Sequence, residues 1–580
     1  MINGWLILGI AAITFIISIY GLEKTNLLPE FLQPYGPVVT VQTERSKHTI
    51  DTIANASPRF WRYWGSGGLI AAVGVLLSTM VLLVVSAFTV IRNPPEPTGI
   101  YHPTNMLIVP GVNDYLPLSV LPEILISLGI GIIIHEAGHG IFCRVADIDI
   151  DRVGLILFTI LPVGAFVEPD ADQEESAPTM DRLRMYAAGV TNNFAFSILS
   201  FALLFVVIGA LITPAGGVAI AHSYPDSPAD HAGIEEGDRV THINGTPVND
   251  LPGAQNRLAA TNADTVQITV NSEKQITIRR QVYVVGALEG INIAPRAKIT
   301  AVNETEVTTE QEFEAAIRNA STNTVTLTTA SKKNVTVPVG VPVKASPDSP
   351  ATNTALSSEQ TMYVTHLNEK RVITADELQK VLENTTGAVT ARLYHDGEVR
   401  NTTITANNGE YGLIPARGTI GIQTTDIGVE SYPLQTYLGF YKGDFSMNGQ
   451  LPWYQQFLLL LTLPMATSLG LPFNFPGVTG AEANFYDTIP ALAGVEPAVF
   501  FLANVLFWSG WINMHIGLFN CIPTFPLDGG HMVKTSIESL LERYNIAAED
   551  SRLSSILTVG FTVVIFIALA SLFAVPFLFG

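Results

Sequence analysis

The sequence predicts an α-helical polytopic membrane protein of about six spans, with an α+β region inserted between its helices. Hydrophobic residues make up 48% of the 580 residues and charged residues only 14%, against about 25% charged residues in soluble domains. Six apolar segments are long enough, as helices, to cross a hydrocarbon core of about 30 Å. They are 2–20, 68–91, 119–146, 186–212, 497–522 and 554–579. Between the fourth and fifth segments the pattern changes to short alternating strands rich in Thr, Val and Asn.

Two further apolar stretches are poor spans. Residues 153–167 are short, β-rich and interrupted by Pro162 and Gly164, whereas 455–471 contain Pro464. We expect 455–471 to lie at the membrane surface or to enter it only halfway. The first segment lacks the basic region and the cleavage site of a signal peptide, which indicates a retained anchor.

Basic residues near the spans predict the orientation of the chain in the cell membrane. Five of them lie between the first two spans, which places that loop inside; they are Lys24, Arg45, Lys47, Arg59 and Arg62. Alternation then places the 213–450 region outside, provided that 455–471 does not cross fully. Arg92 is an exception to this pattern.

The charge balance excludes one class of partner and indicates a habitat. A net charge of −20 argues against nucleic-acid binding, which needs a basic face. An acidic, lysine-poor surface is typical of proteins in high salt, so we expect a halophilic archaeal source. An acidic domain outside the cell would give the same balance. The two cysteines, Cys143 and Cys521, lie in apolar runs and imply no disulfide framework.

The inserted region contains a repeated pattern. The segment Arg239–Val248 is echoed at Lys298–Val307 and at Tyr363–Val372, with asparagines at equivalent positions. A short helical pattern and a β-branched strand follow each echo. A fixed period with the same local order indicates two or three copies of one small unit.

The first copy resembles the PDZ domains of membrane and periplasmic proteases. The resemblance lies in Ser227–Gly245, where an Ala-Gly-x-x-x-Gly-Asp turn leads into a strand that ends in an Asn-Gly hairpin. The other two copies lack this turn, and we describe them as PDZ-like.

The segment His135-Glu136-Ala137-Gly138-His139 carries the strongest chemical signal. Residues four apart share a helix face, so both imidazoles can bind one metal ion, and Glu136 is placed to accept a proton from water. The alternative is a pair of core histidines. Two histidines and a carboxylate are costly in a membrane helix unless they have a function, which favours the metal site. Gly138 and Gly140 would allow another backbone to approach closely.

A catalytic zinc site has three protein ligands and one open position. The 497–522 span leads into Asn520-Cys-Ile-Pro-Thr-Phe-Pro-Leu-Asp528, and Asp528 is the candidate third ligand. Gly529 and Gly530 have no side chains, which gives the backbone next to Asp528 more conformational freedom. Alone, an Asp-Gly-Gly run is usually a turn.

Together these two motifs resemble the site-2 protease family of intramembrane metalloproteases, which pairs His-Glu-x-x-His with a distant Asn-x-x-Pro-x-x-Pro-Leu-Asp-Gly. The segment Gly154–Gly164 is similar to the membrane-dipping β-hairpin of that family, which is thought to align substrate by strand addition. The segment Ala188–Phe194 is similar to its Ala-Gly-x-x-x-Asn-Phe stretch.

The resemblance implies a role for each site residue. His135, His139 and Asp528 would bind Zn²⁺, and Glu136 would be the general base and then the acid. Asn520 and Asn193 would hydrogen-bond the substrate or its oxyanion. A helix–helix hydrogen bond is the alternative for Asn193. His531 is a further candidate as a partner of the ligands.

The implied function is cleavage of single-span membrane proteins within the lipid bilayer, after an upstream site-1-type protease has shortened them. The PDZ-like units would filter substrates by size or read the new C-terminus. An inactive membrane scaffold that binds C-termini is the alternative, and it would have lost Glu136 or a ligand. A zinc transporter would carry several metal sites along its helices, and the sequence contains one.

The expected organisation has six parts. They are anchor spans and loops (1–118), the first half of the protease membrane core (119–212), PDZ-like units at 213–285, 286–345 and 346–450, and the second half of the core (451–580).

Overall fold

The computed structural model divides the chain into two compact units. The membrane unit comprises Met1–Thr213, Leu438–Thr479 and Thr488–Gly580, and the β-rich unit comprises Pro214–Tyr437 and Gly480–Asp487. The structure describes residues 4–579 except 26, 30, 36–37, 97–101, 107, 114, 159–160, 262, 347–348, 355, 357–359, 396, 408–409, 433, 435–437, 439–451, 453–458, 465–476 and 545–550. Most of the stretch 455–471 therefore lies outside the described residues.

The first part of the membrane unit contains six helices and four strands. The helices are α1 (Gly4–Lys24), α2 (Glu44–Ala56), α3 (Pro58–Arg92), α4 (Leu121–Val145), α5 (Ala171–Ser176) and α6 (Thr179–Leu211). The strands are β1 (Leu32–Tyr35), β2 (Val38–Gln42), β3 (Ile150–Phe158) and β4 (Leu161–Pro169).

The predicted hairpin is one half of a four-stranded sheet in the order β1-β2-β3-β4. Residues 39–42 of β2 pair with β3, so one edge of the hairpin is already occupied by the N-terminal strands. β4 forms the other edge of the sheet. Pro162 is tolerated there because an edge strand has one side free of ladder hydrogen bonds. The sequence predicted the hairpin as 154–164 and gave no sign of its two additional strands.

The β-rich unit contains three repeats of one element order: strand, strand, short strand, helix and two strands, with a helical turn α7 (Pro228–His231) in the first. The first repeat has β6 (Val218–Ser223), β7 (Arg239–Ile243), β8 (Thr246–Pro247), α8 (Leu251–Ala259), β9 (Thr265–Val270) and β10 (Lys274–Arg279). The second has β11 (Val282–Ala287), β12 (Lys298–Val302), β13 (Thr305–Glu306), α9 (Glu310–Arg318), β14 (Thr324–Thr329) and β15 (Asn334–Pro338). The third has β16 (Val341–Ala345), β17 (Met362–Leu367), β18 (Lys370–Arg371), α10 (Ala375–Glu383), β19 (Ala388–His395) and β20 (Glu398–Thr405). A strand β5 (Ile212–Pro214) precedes the repeats.

The asparagines that defined the sequence repeat have one local role. Asn244, Asn303 and Asn368 have φ values of 49°, 45° and 46°, in the left-handed region that asparagine tolerates better than most residues. Each side-chain carbonyl accepts a hydrogen bond of 2.8–2.9 Å from the backbone of the strand after the helix. This bond ties the turn to the sheet in each repeat.

Each sheet is completed by a strand from a single returning segment, and the repeats are closed in reverse order. β21 (Leu413–Pro415) pairs with β16 of the third repeat and β22 (Ile422–Thr425) with β11 of the second. β23 (Val429–Ser431) pairs with β6 of the first. The third repeat is therefore nested in the second, and the second in the first.

Glycine permits the entry to the closing strands. Gly412 and Gly428 have φ values of +72° and +79°, and a Cβ atom on either would lie 2.2 Å from the Cβ of Ser349 or Ser227. Each of these serines donates its hydroxyl hydrogen to the carbonyl of the glycine it faces. The same small-residue contact thus recurs in the first and third repeats.

The nesting changes the boundaries expected from the sequence. The expected range 346–450 includes β22 and β23, which belong to the sheets of the other two repeats. The third sheet begins earlier, at Val341, and the second begins at Val282. Contiguous ranges cannot describe sheets that exchange strands along a returning segment.

The chain ends with a strand β24 (Tyr486–Thr488) and three helices, α11 (Glu496–Asn520), α12 (Asp528–Arg543) and α13 (Ser551–Phe579). Among the described residues, five helices are long and apolar enough to cross a membrane: Pro58–Arg92, Leu118–Val145, Thr179–Leu211, Glu496–Asn520 and Leu553–Phe579. The remaining predicted span, 2–20, falls on α1, so the number six stays a prediction. α6 packs against α3, α4, α11 and α12, which places it between the two halves of the membrane unit.

Candidate metal centre

The His-Glu-Ala-Gly-His segment lies on the C-terminal half of α4, where close helix packing surrounds it. His135 is buried and His139 is nearly so. A Cβ atom on Gly138 would lie 2.8 Å from the carbonyl oxygen of Ala188 on α6. Glycine at this position therefore lets the two helices approach closely, as the sequence suggested. Gly140 instead makes room for the side chain of Ile50.

Asp528 reaches the histidines from the first residue of α12. The loop before it folds back tightly, because Cβ atoms on Gly529 and Gly530 would lie 2.6 Å from the carbonyl of Ile522 and from the backbone of Thr524. Larger residues would push this loop away from the helix. The two glycines thus fix the direction in which the Asp528 carboxylate points.

Three side-chain atoms from these two distant segments converge. His135 Nε2 lies 3.2 Å and His139 Nε2 lies 3.4 Å from Asp528 Oδ2, and the two Nε2 atoms are 3.2 Å apart. Tetrahedral zinc bonds of about 2.0–2.1 Å separate their ligand atoms by about 3.3–3.4 Å. Two imidazoles and one carboxylate also leave a fourth position open. The residues present therefore fit a catalytic zinc ion.

Backbone contacts orient the second histidine. His139 Nδ1 lies 2.9 Å from the carbonyl oxygen of Met185 on α6, so the Nδ1 hydrogen is donated there and Nε2 is left to bind a metal. Gly189, one turn along α6, faces both rings, because a Cβ atom there would lie 2.5 Å from His139 Nε2. The sequence pattern does not single out Gly189, although this residue belongs to the Ala188–Phe194 stretch.

Glu136 is held by the sheet rather than by the histidines. Its Oε2 atom accepts a hydrogen bond of 3.0 Å from the backbone N–H of Val167 in β4. Among the described residues, Oε1 has no hydrogen-bond partner. Among the described strands β4 pairs only with β3. Its other edge, which we call the open edge of β4, lies beside the residue that was predicted to handle protons, and the sequence gave no sign of this contact.

The remaining residues considered from the sequence each make their own contacts. Asn520 donates its side-chain N–H to the carbonyl of Ile516 in its own helix, at 3.0 Å. Asn193 is fully buried on α6, and neither of its amide atoms has a hydrogen-bond partner among the described residues. His531 packs against the rings of Tyr186 and Phe525. Cys143 and Cys521 are free and buried.

A family model described as peptidase family M50 matches residues 123–368 and 489–567, which is more than half of the chain. The two matched segments include α4 with its histidines and the start of α12 with Asp528. They also include the first two repeats of the β-rich unit and the beginning of the third.

Several named proteins are similar to parts of the chain. A Nostoc protein named "Putative zinc metalloprotease" is 26% identical over 220 residues, which cover 31% of this chain and 60% of that protein. An Arabidopsis thaliana protein named as a membrane-bound transcription factor site-2 protease homolog is 25% identical over 136 residues, or 23% of this chain and 26% of that protein. An uncharacterized Methanocaldococcus jannaschii protein is 32% identical over 135 residues, or 23% of this chain and 35% of that protein. The chain thus spans less than two thirds of the length of each relative.

Proposed function

The chain belongs to peptidase family M50, and on that premise we propose that it is a membrane-embedded zinc metallopeptidase that hydrolyses peptide bonds of membrane-spanning proteins. One observation carries this proposal. His135 and His139 on α4 meet Asp528 on α12, with their ligand atoms within 3.4 Å of a common oxygen, and a carboxylate follows directly on the same helix. An inactive scaffold would have no reason to keep this set.

His135 Nε2, His139 Nε2 and Asp528 Oδ2 would hold the zinc ion. Bound there, zinc would supply Lewis acidity that favours attack of water on a peptide carbonyl. The protein contributes the rigidity of the ligands. Gly189 admits the rings, Met185 fixes the tautomer of His139, and the two glycines after Asp528 aim its carboxylate.

Glu136 is the residue that moves the proton. The Val167 N–H occupies Oε2 and leaves Oε1 to take a proton from the attacking water. The oxygen of that water bonds to the carbonyl carbon. The proton on Glu136 then passes to the amide nitrogen as the C–N bond breaks, so one water is consumed for each bond cleaved.

The substrate would bind in an extended form along the open edge of β4. Because the Val167 N–H points away from β3 and toward Glu136, strand alternation places the N–H and C=O of Ala165 on the same edge. A substrate strand paired with Ala165 would run directly past Glu136. Strand addition satisfies the backbone groups of a substrate that has left its helical form in a membrane. Asn193 and Asn520 would then be donors to the substrate or its oxyanion.

The β-rich unit would control which substrates reach this edge. It carries three PDZ-like repeats and none of the residues of the metal centre. We place it outside the cell from the distribution of basic residues, where it would exclude substrates with large outer domains or bind a newly made C-terminus after an upstream cut.

The catalytic proposal is tested by cleavage of a single-span reporter in the native host. Glu136→Gln should abolish cleavage while the purified protein keeps about one zinc ion per chain, because the amide cannot take the proton. Glu44→Gln, an exposed carboxylate on α2, is the matched control and should cleave normally. Residual cleavage by Glu136→Gln at the rate of the control would remove Glu136 from the mechanism.

The gating proposal is tested by replacing 218–432 with a flexible linker. The variant should retain zinc, cut shortened substrates and begin to cut full-length ones. If it retains zinc and cuts neither substrate, the β-rich unit delivers substrates instead of filtering them.

A further inference from the structure

The first repeat of the β-rich unit has a groove between its short helix α8 and its closing strand β23, with a volume of about 680 Å³. Helix α9 of the second repeat lines it as well, so the groove lies between two repeats. Its apolar lining comes from Leu251 and Leu258 of α8 and from Val218, Ile220, Val240 and Ile243 of the sheet. Leu251 is 40% exposed, so the groove offers apolar surface that another chain could cover.

The closing strand β23 also presents unpaired backbone groups. It forms one edge of the first sheet, and among the described strands it pairs only with β6. The Tyr432 N–H donates to the carbonyl of Ala219 in β6, at 2.9 Å. Strand alternation therefore points the N–H and C=O of Val429 and Ser431 away from β6. Both residues line the groove, so an extended peptide could pair with this edge as an additional strand.

The charges that line the groove are all negative. Among the described residues no Lys, Arg or His lines it, whereas five carboxylates do: Glu310, Glu314, Asp376, Asp426 and Glu430. Two of them have a basic partner outside the groove. Asp426 forms an ion pair with the fully buried Arg280, and Glu430 lies 3.3 Å from His222. The other three carboxylates give the groove a net negative charge.

Two of these carboxylates, Glu310 and Glu314, lie one turn apart on α9 and so share a helix face. The backbone N–H of Glu310 donates to Asp426 at 2.5 Å, which brings a third carboxylate to the same place. Neither glutamate forms an ion pair with a described basic residue, because Arg318 on the same helix binds Glu377 instead. Burial and the charge of Asp426 raise the pKa of Glu310 to about 8. A cation in the groove would relieve this repulsion, whereas a C-terminal carboxylate would add to it.

We propose that this groove binds an extended peptide segment that carries a lysine or an arginine, with the backbone of the segment paired to β23 and the cation beside Glu310 and Glu314. Apolar neighbours of the basic residue would cover the leucines of α8. The inference rests on the proposed function for the source of the segment, which is the outer part of a membrane-spanning substrate. At this groove the β-rich unit therefore recognises a basic internal segment and not a chain end.

Peptide binding to the purified full chain tests the charge preference. The probe is a fluorescent octapeptide of valine, threonine and serine around one central lysine, with both ends blocked, and binding is followed by anisotropy. Replacing the lysine by glutamine should weaken binding at least about tenfold, because a charge-assisted hydrogen bond is lost. A lysine-free peptide with a free C-terminal carboxylate should bind no better than the glutamine peptide. If this free acid bound most tightly, the groove would recognise chain ends and the proposal would be wrong.

The backbone contact is tested with the same lysine peptide, methylated on alternate amide nitrogens. Because one edge of a paired peptide faces β23, methylation of the amides on that edge should abolish binding, and methylation of the other set should leave it nearly unchanged. Equal binding of the two methylated peptides would exclude strand addition. All these measurements can be made in the Glu136→Gln variant, since binding needs no cleavage. Their failure would leave the proposed hydrolysis standing, and an inactive enzyme would still give a readable binding result.

Variants of the chain test where the cation binds. Glu310→Gln should weaken binding of the lysine peptide about tenfold and change binding of the glutamine peptide little. Asp376→Asn, an exposed carboxylate of the same groove, should act in the same direction if Glu310→Gln folds poorly. Glu273→Gln is the matched control, because Glu273 is exposed in the turn between β9 and β10, at the opposite edge of the sheet from β23. If the control weakened binding as much as the groove variants, the peptide would be held by the general negative charge of the chain, and the proposal would be overturned.

Discussion

Gly189 lies on the turn of α6 that faces both histidines of the candidate metal centre, so one added methyl group tests the geometry of that centre. A Cβ atom on Gly189 would lie 2.5 Å from His139 Nε2 and 2.7 Å from His135 Cε1. Atoms of this kind sit comfortably at about 3.5 Å, so the rings must move by about 1 Å to accept the methyl group. A displacement of that size can lower the rate of catalysis about 100-fold.

We therefore expect Gly189→Ala to lose zinc more readily and to cleave the reporter about 100 times more slowly than the wild type. Zinc per chain would be measured by atomic absorption after dialysis against a graded series of chelator concentrations. Cleavage would be measured on the same preparations, so that lost metal and misplaced metal can be told apart.

Gly209→Ala is the matched control. Gly209 lies on the same helix with no other atom within 4 Å of a Cβ built there, and alanine is the better helix former by about 1 kcal/mol. This variant should therefore keep its zinc and activity and unfold no earlier than the wild type. If Gly189→Ala matched it in zinc retention and rate, the argument from ring displacement would be refuted.

Three further predictions concern the ligand, the β-rich unit and the orientation. Asp528→Ala should lose most of its zinc, and full retention on elemental analysis would exclude Asp528 as a ligand. Burial and the nearby Asp426 raise the pKa of Glu310 to about 8, so the folded chain keeps a proton that the unfolded chain releases. The stability of the fold should therefore decrease as the pH rises from the ordinary glutamate range to about 8. Glu310→Gln should make the thermal unfolding midpoint depend less on pH over this range. The same pH dependence in the variant and the wild type would contradict the prediction. A cysteine replacing Ser346 should react with a membrane-impermeant thiol reagent on intact cells, and a cysteine replacing Ser46 should not. If only the cysteine at 46 reacted, the orientation of the chain in the membrane would be opposite to the predicted one.

Local rules were enough to predict several features of this protein. A spacing of four residues on a helix brings His135 and His139 to one face whatever surrounds them. Long apolar runs predict membrane spans from the thickness of the bilayer, and the three asparagine turns repeat because their left-handed backbone is a local requirement. A carboxylate followed by two glycines after a long span indicated Asp528 once the two histidines had predicted a metal site that needs a third ligand.

The closing strands of the repeats were missed because their pairing is not local. β21, β22 and β23 are three or four residues long, too short for a periodic pattern to identify. The signal that could have found them is a glycine between apolar residues, which recurs at Gly412, Gly421 and Gly428. Even so, only the folded sheets decide which strand closes which repeat.

The sequence by itself determined the membrane class, the candidate metal-binding residues and the repeated unit, since each depends on composition or on spacing within one element. The tertiary structure decided that Gly189 admits the histidine rings, that β4 holds Glu136 and that the polar residues of α4 and α11 face each other. Those contacts join segments as far apart as 382 residues. They depend on how helices and strands pack, which no periodicity along the chain encodes.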